Sequence, residues 1–240
     1  MPGCFFMFGG CIKGMLSYFS TKEWLLWGGS VAVVLLSAVL FPNGSLFTTV
    51  ASLFGVTSLI FCAKGNPIGQ VIMILFGMLY GIISYSMAYY GEMITYMGMT
   101  VPMACYALVC WLRHPYRGKR QEVVVNRIKN KETVFLCLLT FVVTFLFYWI
   151  LKYFHTANLF WSTVSVATSF AACYLTARRS PYYALVYAMN DVVLIILWVL
   201  ATVNDRKYLG VVICFLVFLV NDLYGFYSWK KMLRRQREEG

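Results

Sequence analysis

The chain has 240 residues, of which 61% are hydrophobic, 18% aromatic and only 12% charged, whereas a soluble domain carries about 25% charged residues. It reads as an all-α polytopic membrane protein rather than a soluble enzyme. Its formal charge of +11 collects in loops and tail, where topology signals sit, so nucleic acid is not an expected partner.

The Cys and His content excludes more. Eight cysteines, most inside apolar runs and none in a C-x-x-C pair, and only two histidines, His114 and His155, argue against a disulfide framework, a zinc site or an iron–sulfur cluster. Small buried thiols explain the cysteines better. There is no G-x-x-x-x-G-K-[ST] loop, dinucleotide fingerprint, H-E-x-x-H or G-x-S-x-G, so ATP-driven pumping, hydrolase chemistry and any cofactor or metal lack support. Met1 to Ile12 lacks a charged leader before its apolar residues, so no secretory signal is expected and the segment is too short to span.

Eight spans follow in order: Trp24 to Phe41, Leu46 to Ala63, Pro67 to Ala88, Met93 to Leu112, Thr133 to Phe154, Leu159 to Ala177, Pro181 to Ala201 and Tyr208 to Trp229. Connections are short except 113–132, which carries Arg113, Arg117, Lys119, Arg120, Arg127, Lys129 and Lys131 and reads as a solvated cytoplasmic linker. Its Val123-Val124-Val125 suggests a short extended piece or an interfacial helical turn. Eight spans place 17 of the 20 Lys and Arg on one side, against Lys152, Arg206 and Lys207 on the other. Both termini are therefore expected in the cytoplasm.

A weak repeat accompanies this pattern. Ala63-Lys64-Gly65-Asn66-Pro67 matches Ala177-Arg178-Arg179-Ser180-Pro181, and Tyr106 to Trp111 matches Tyr224 to Trp229. The expected plan is an N-terminal segment (1–23), an extra helix (24–42), a three-helix bundle (43–112), the basic linker (113–132), a linker helix (133–154), a second three-helix bundle (155–229) and a basic tail (230–240). The units are parallel repeats, an arrangement that places transporter sites between the halves near the midplane.

Two of the nine acids, Asp191 and Asp222, lie well inside spans, each after an asparagine, Asn190 and Asn221. No Lys or Arg lies deep within a span to pair with them. A midplane carboxylate costs about 3 kcal/mol even on lenient scales, so such an acid marks a functional candidate. Glu23, Glu92, Glu122, Glu132, Asp205, Glu238 and Glu239 fall in or beside loops and tails. Asp191 sits on the order of 15 Å from the cytoplasmic end of its helix and Asp222 on the order of 10 Å, so one ligand can reach both. Tyr183, Tyr187, Asn190, Leu194 and Trp198 recur at helical spacing beside Asp191 and make a polar, aromatic stripe suited to a flat ring with a polar tail. Gln70, Tyr80 and Tyr106 are the first-half candidates.

Tyr90-Gly91-Glu92, Trp111-Leu112-Arg113-His114-Pro115-Tyr116, Tyr187 through Asp191, and Asn221 through Trp229, together with the linker and repeat, resemble the nicotinamide riboside transporters of the Pnu family from about Trp24 to Met232. That resemblance implies a fold like the SWEET sugar transporters, an extra N-terminal helix before a three-plus-one-plus-three core. It also implies facilitated uptake of nicotinamide riboside across a bacterial inner membrane with intracellular phosphorylation as the trap. The family's Trp-x-x-x-Asn in the seventh span stands here as Tyr187-x-x-x-Asp191, which trades an amide for an acid. Relatives of similar fold carry thiamine or riboflavin. The alternatives are accordingly another vitamin or a vitamin-binding subunit with an energising partner. Gly-rich faces allow association into a homo-oligomer.

Overall fold

The computed structural model describes residues 18–41, 46–86, 90–156, 158–204 and 209–239. The expected N-terminal segment to residue 17, and Asp205, Arg206 and Lys207 with their place in the charge count, lie outside those residues.

Eight helices are long and apolar enough to cross a membrane. We label them α1 (Thr21–Leu40), α2 (Leu46–Ala63), α3 (Ile68–Ser86), α4 (Tyr90–Leu112), α5 (Asn130–Tyr153), α6 (Leu159–Ala177), α7 (Tyr183–Asn204) and α8 (Leu209–Glu238). α8 continues past Trp229 through most of what the sequence suggested was a separate tail. Within α4, Tyr96–Thr100 winds as a π-helix. Leu25, Val39, Phe141 and Val203 are exposed outward, an apolar girdle that only lipid can cover.

Six helices close a ring in which α2 packs on α3, α3 on α4, α4 on α6, α6 on α7, α7 on α8 and α8 back on α2, with α1 outside against α2 and α8 and α5 outside against α6. Close approach matters where α2 turns into α3. A Cβ on Gly69 would lie 2.6 Å from the backbone nitrogen of Cys62, and the Ser58 hydroxyl donates to the Gly69 carbonyl at 3.0 Å. α1 begins with a capping box in which the Ser20 N–H donates to Glu23 at 2.7 Å and the Glu23 N–H donates to the Ser20 hydroxyl. Glu23 is buried and accepts from Lys64 at 3.0 Å and from Tyr224 at 3.1 Å, which ties α1 to the ring.

The α2–α3 and α6–α7 turns follow the same plan, residue for residue. Gly65 and Arg179 both have positive φ, 66° and 58°. Gly65 and Asn66 N–H groups donate to Cys62 and Phe61 carbonyls, while Arg179 and Ser180 donate to Thr176 and Leu175, a Schellman closure of each helix. Both turns also bond the linker, since the Val123 N–H donates to Gly65 and the Asn126 N–H to Arg179, each at 3.0 Å.

The linker is less solvated than its charge suggested. β1 (Pro115–Tyr116) and β2 (Lys119–Val123) pair antiparallel around Arg117-Gly118, whose positive φ values of 49° and 74° suit a two-residue hairpin turn. Val123 is fully buried and Val125 is buried beside it, so the valine run makes the extended piece, not a helical turn. The end of α8 closes over it. Gln236 donates to Glu122 at 2.8 Å and to the Val123 carbonyl at 3.0 Å, and Arg235 pairs with Glu122. Arg178 pairs with Glu132, a bond that raises the guanidinium pKa.

Candidate functional site

The α2–α3 and α6–α7 turns and the linker gather at one end of the ring. There Trp111 of α4, Trp229 of α8, Tyr183 of α7, Cys62 and Val123 form a buried cluster. The Trp229 ring lies 5.4 Å from Trp111 and 4.9 Å from Tyr183. The indole bonds cross between helix sets. Trp111 donates to the Thr176 carbonyl of α6, and Trp229 to the Cys62 carbonyl of α2, both at 2.8 Å. Both indole N–H groups at this end are therefore satisfied.

Beyond this plug α2–α4 and α6–α8, with Leu151 of α5, line a slot. Tyr187, Asn190, Asp191 and Asp222 line it. The Asp191 and Asp222 carboxyls lie within hydrogen-bonding reach of each other. Asp191 is only 4% exposed and its Oδ2 has no hydrogen-bond partner. That is an expensive way to leave an oxygen unless a guest completes it.

The two neighbours of Asp191 on its helix face are held by α6. The Asn190 carbonyl oxygen accepts from Ser165 at 3.3 Å, Thr168 at 2.7 Å and Ser169 at 3.1 Å. Hydroxyls of α6 gathered on that oxygen orient the amide, so its N–H₂ is the donor left for other work. The Tyr187 hydroxyl contacts the Cys173 sulfur at 3.1 Å. Polar side chains of two helices thus place an amide, a phenol ring and a carboxylate on one wall.

The remaining sequence candidates stand off that wall. Asn221 faces α1, donating to the Ser30 hydroxyl and the Val217 carbonyl at 2.8 Å each. Trp198 is packed in the apolar cluster with Val34 and Phe215. Gln70 is buried near the linker end and donates to the Cys62 sulfur at 3.3 Å. Tyr80 forms a second layer, its ring 4.5 Å from Tyr96. Tyr106 is 56% exposed on the outer face of α4. Helical periodicity puts residues on a face without saying which face looks inward, and these five show it.

Several wall residues escaped the sequence reading. Glu92, expected in or beside a loop, lines the slot, as do Tyr96, Phe76, Ser165 and Ser169. Glu92 opens α4 at a short connection, so its inward position depends on the helix being longer than expected. Single Ser residues in apolar helices give no signal, because a hydroxyl there often bonds its own backbone. No Lys or Arg is among the described lining residues, and no group of three His, Cys, Asp or Glu among the described residues could hold a metal ion.

The profile of the nicotinamide mononucleotide transporter family matches residues 45–231. The nicotinamide riboside transporter PnuC of Neisseria mucosa is 24% identical over 226 residues, covering 92% of this chain and 84% of that protein. The crystal structure of a vitamin B3 transporter PnuC aligns with a TM-score of 0.79 at 21% identity, over 91% of this chain and 94% of that one, and so shares the fold. Since the matched residues cover well over half of the chain, the protein belongs to the nicotinamide mononucleotide transporter family.

Proposed function

We propose that the protein carries nicotinamide riboside across a bacterial inner membrane by facilitated diffusion, with both termini and the linker in the cytoplasm. The observation that carries this reading is the slot wall of Tyr187, Asn190 and Asp191, with a buried Asp191 oxygen that no protein group satisfies. A pyridinium ring supplies the missing positive charge and an aromatic face for Tyr187, and its ribose hydroxyls meet the oriented Asn190 amide. The similarity to a nicotinamide riboside transporter supports the same choice. Asp222 contributes beside Asp191, whereas Asn221 contributes by holding α1 to α8.

Charge also discriminates within the family's chemistry. Glu92, Asp191 and Asp222 line the slot without Lys or Arg, which disfavours the phosphate of the mononucleotide and favours the riboside. Movement occurs by alternating access between α2–α4 and α6–α8, whose matching turns and crossed Trp bonds are what parallel repeats would produce. The Trp111–Trp229 layer is the gate that opens toward the cytoplasm, and intracellular phosphorylation traps the riboside afterwards.

A thermal-shift panel on the purified protein tests the ligand. Nicotinamide riboside is expected to raise the Tm and the mononucleotide to leave it unchanged. A shift with thiamine or riboflavin alone would redirect the substrate, and no shift with any vitamin contradicts the carrier reading.

A further inference from the structure

Glu92 is the third carboxyl in the slot and the one without a role so far. It lines the slot beside Gly91, Leu151 and Thr156, at the end away from the linker. Counting about 1.5 Å of rise per residue from the Trp111–Tyr183 layer puts Glu92 on the order of 15 Å further along the slot than Asp191. Tyr96 follows Glu92 by one helical turn on the same wall and lies within electrostatic reach of both Glu92 and Asp191. Its ring is backed by Tyr80 at 4.5 Å and by Phe76 at 6.0 Å. The wall therefore presents a carboxylate, an aromatic face and a second carboxylate in sequence. The π-helical turn Tyr96–Thr100 falls in this stretch, as such turns often do at functional sites.

Among the described residues no Lys or Arg lines the slot to serve these acids. Lys152 adjoins Leu151 in the chain, yet its ammonium lies over the rings of Trp149 and Tyr148, at 5.1 and 5.9 Å. Asp191 keeps a buried oxygen without a partner. Glu92 stands well along the slot from the Asp191–Asp222 pair, and no trio of metal-ligating side chains occurs among the described residues, so the fitting cation is organic. Resting on the riboside reading above, we infer that Glu92 is an outer cation-binding station of the same site, and that Glu92, Tyr96 and Asp191 together select a permanently cationic heteroaromatic ring over a neutral ring of the same shape. A cation entering from the far end exchanges one carboxylate for the next across the Tyr96 face. A neutral ring has nothing to exchange.

The test compares nicotinamide riboside with its reduced, uncharged dihydro form, using the full-length protein in lipid nanodiscs for binding and in liposomes for uptake. The wild-type protein is expected to bind the cation at least about tenfold more tightly, and Asp191→Asn to remove that preference. Glu92→Gln is expected to raise KM for the cation about three- to tenfold with the maximal rate kept, and Glu92→Asp to restore most of the loss. Equal binding of both forms by the wild-type protein overturns charge selection and leaves the riboside reading standing. Unchanged KM and salt dependence in folded Glu92→Gln overturns the outer station; if that variant does not fold, Glu92→Ser takes its place, and an unchanged KM for the cation in it overturns the station equally. If the riboside does not bind but thiamine, whose thiazolium is permanently charged, binds and weakens in Glu92→Gln, the riboside reading falls and the station stands.

Discussion

The linker end of the helix ring and the slot beside it are made of the same residue types and treat their polar atoms in opposite ways. At the linker end the N–H of Trp111 and of Trp229 each reaches a carbonyl of the other helix set at 2.8 Å, and the rings pack to 1% and 0% exposure. In the slot an equally buried carboxylate oxygen reaches nothing, while hydroxyls of α6 gather on one amide oxygen. Satisfied groups make a region that holds itself together; an unsatisfied one beside oriented neighbours makes a region that needs a guest. The contrast separates residues that keep the protein closed from residues that give it something to carry.

Substitutions on each side should fall into these two classes. Trp229→Ala removes the centre of the plug and should cost about 3–5 kcal/mol of stability, seen as a lower Tm in detergent. Asp191→Ala should leave the Tm within a few degrees of wild type and reduce nicotinamide riboside uptake about 100-fold, the loss expected when about 3 kcal/mol of charge pairing with the guest disappears. Thr168→Val withdraws the shortest of the donors to Asn190 and should weaken riboside binding by about 1 kcal/mol, measured by titration calorimetry. Tyr106→Phe alters an outward-facing side chain and should change neither Tm nor uptake. A Tyr106→Phe variant that loses uptake would put the site on the wrong face of α4.

Much of the architecture was legible in the chain. Apolar runs of spanning length and the lopsided distribution of Lys and Arg were enough for eight helices, because lipid forces every span to satisfy its own backbone. The 63–67 and 177–181 segments differ in three of five residues yet close their helices with the same bonds, and the shared basic residue and proline exposed that likeness. Asp191 and Asp222 stood out because acids are rare at such depth. What stayed hidden was direction. Trp198 and Tyr187 lie on one helical stripe, but the neighbours of α7 bury the first among Val34 and Phe215 and give the second to the slot. Glu92 sits at a span end where acids usually meet water, and the packing of the 90–95 turn on α3, with Gly91 close against Leu151 and Thr156, turns it inward.

The central claim, that an unsatisfied carboxylate in the slot serves passive carriage of nicotinamide riboside, is tested most directly by flux in sealed liposomes containing the protein and neither kinase nor nucleotide. Labelled nicotinamide riboside is expected to equilibrate to equal concentrations inside and outside with the wild-type protein, and to stay outside with folded Asp191→Ala. Tight binding without flux, or full equilibration by the Asp191→Ala variant, would contradict the account.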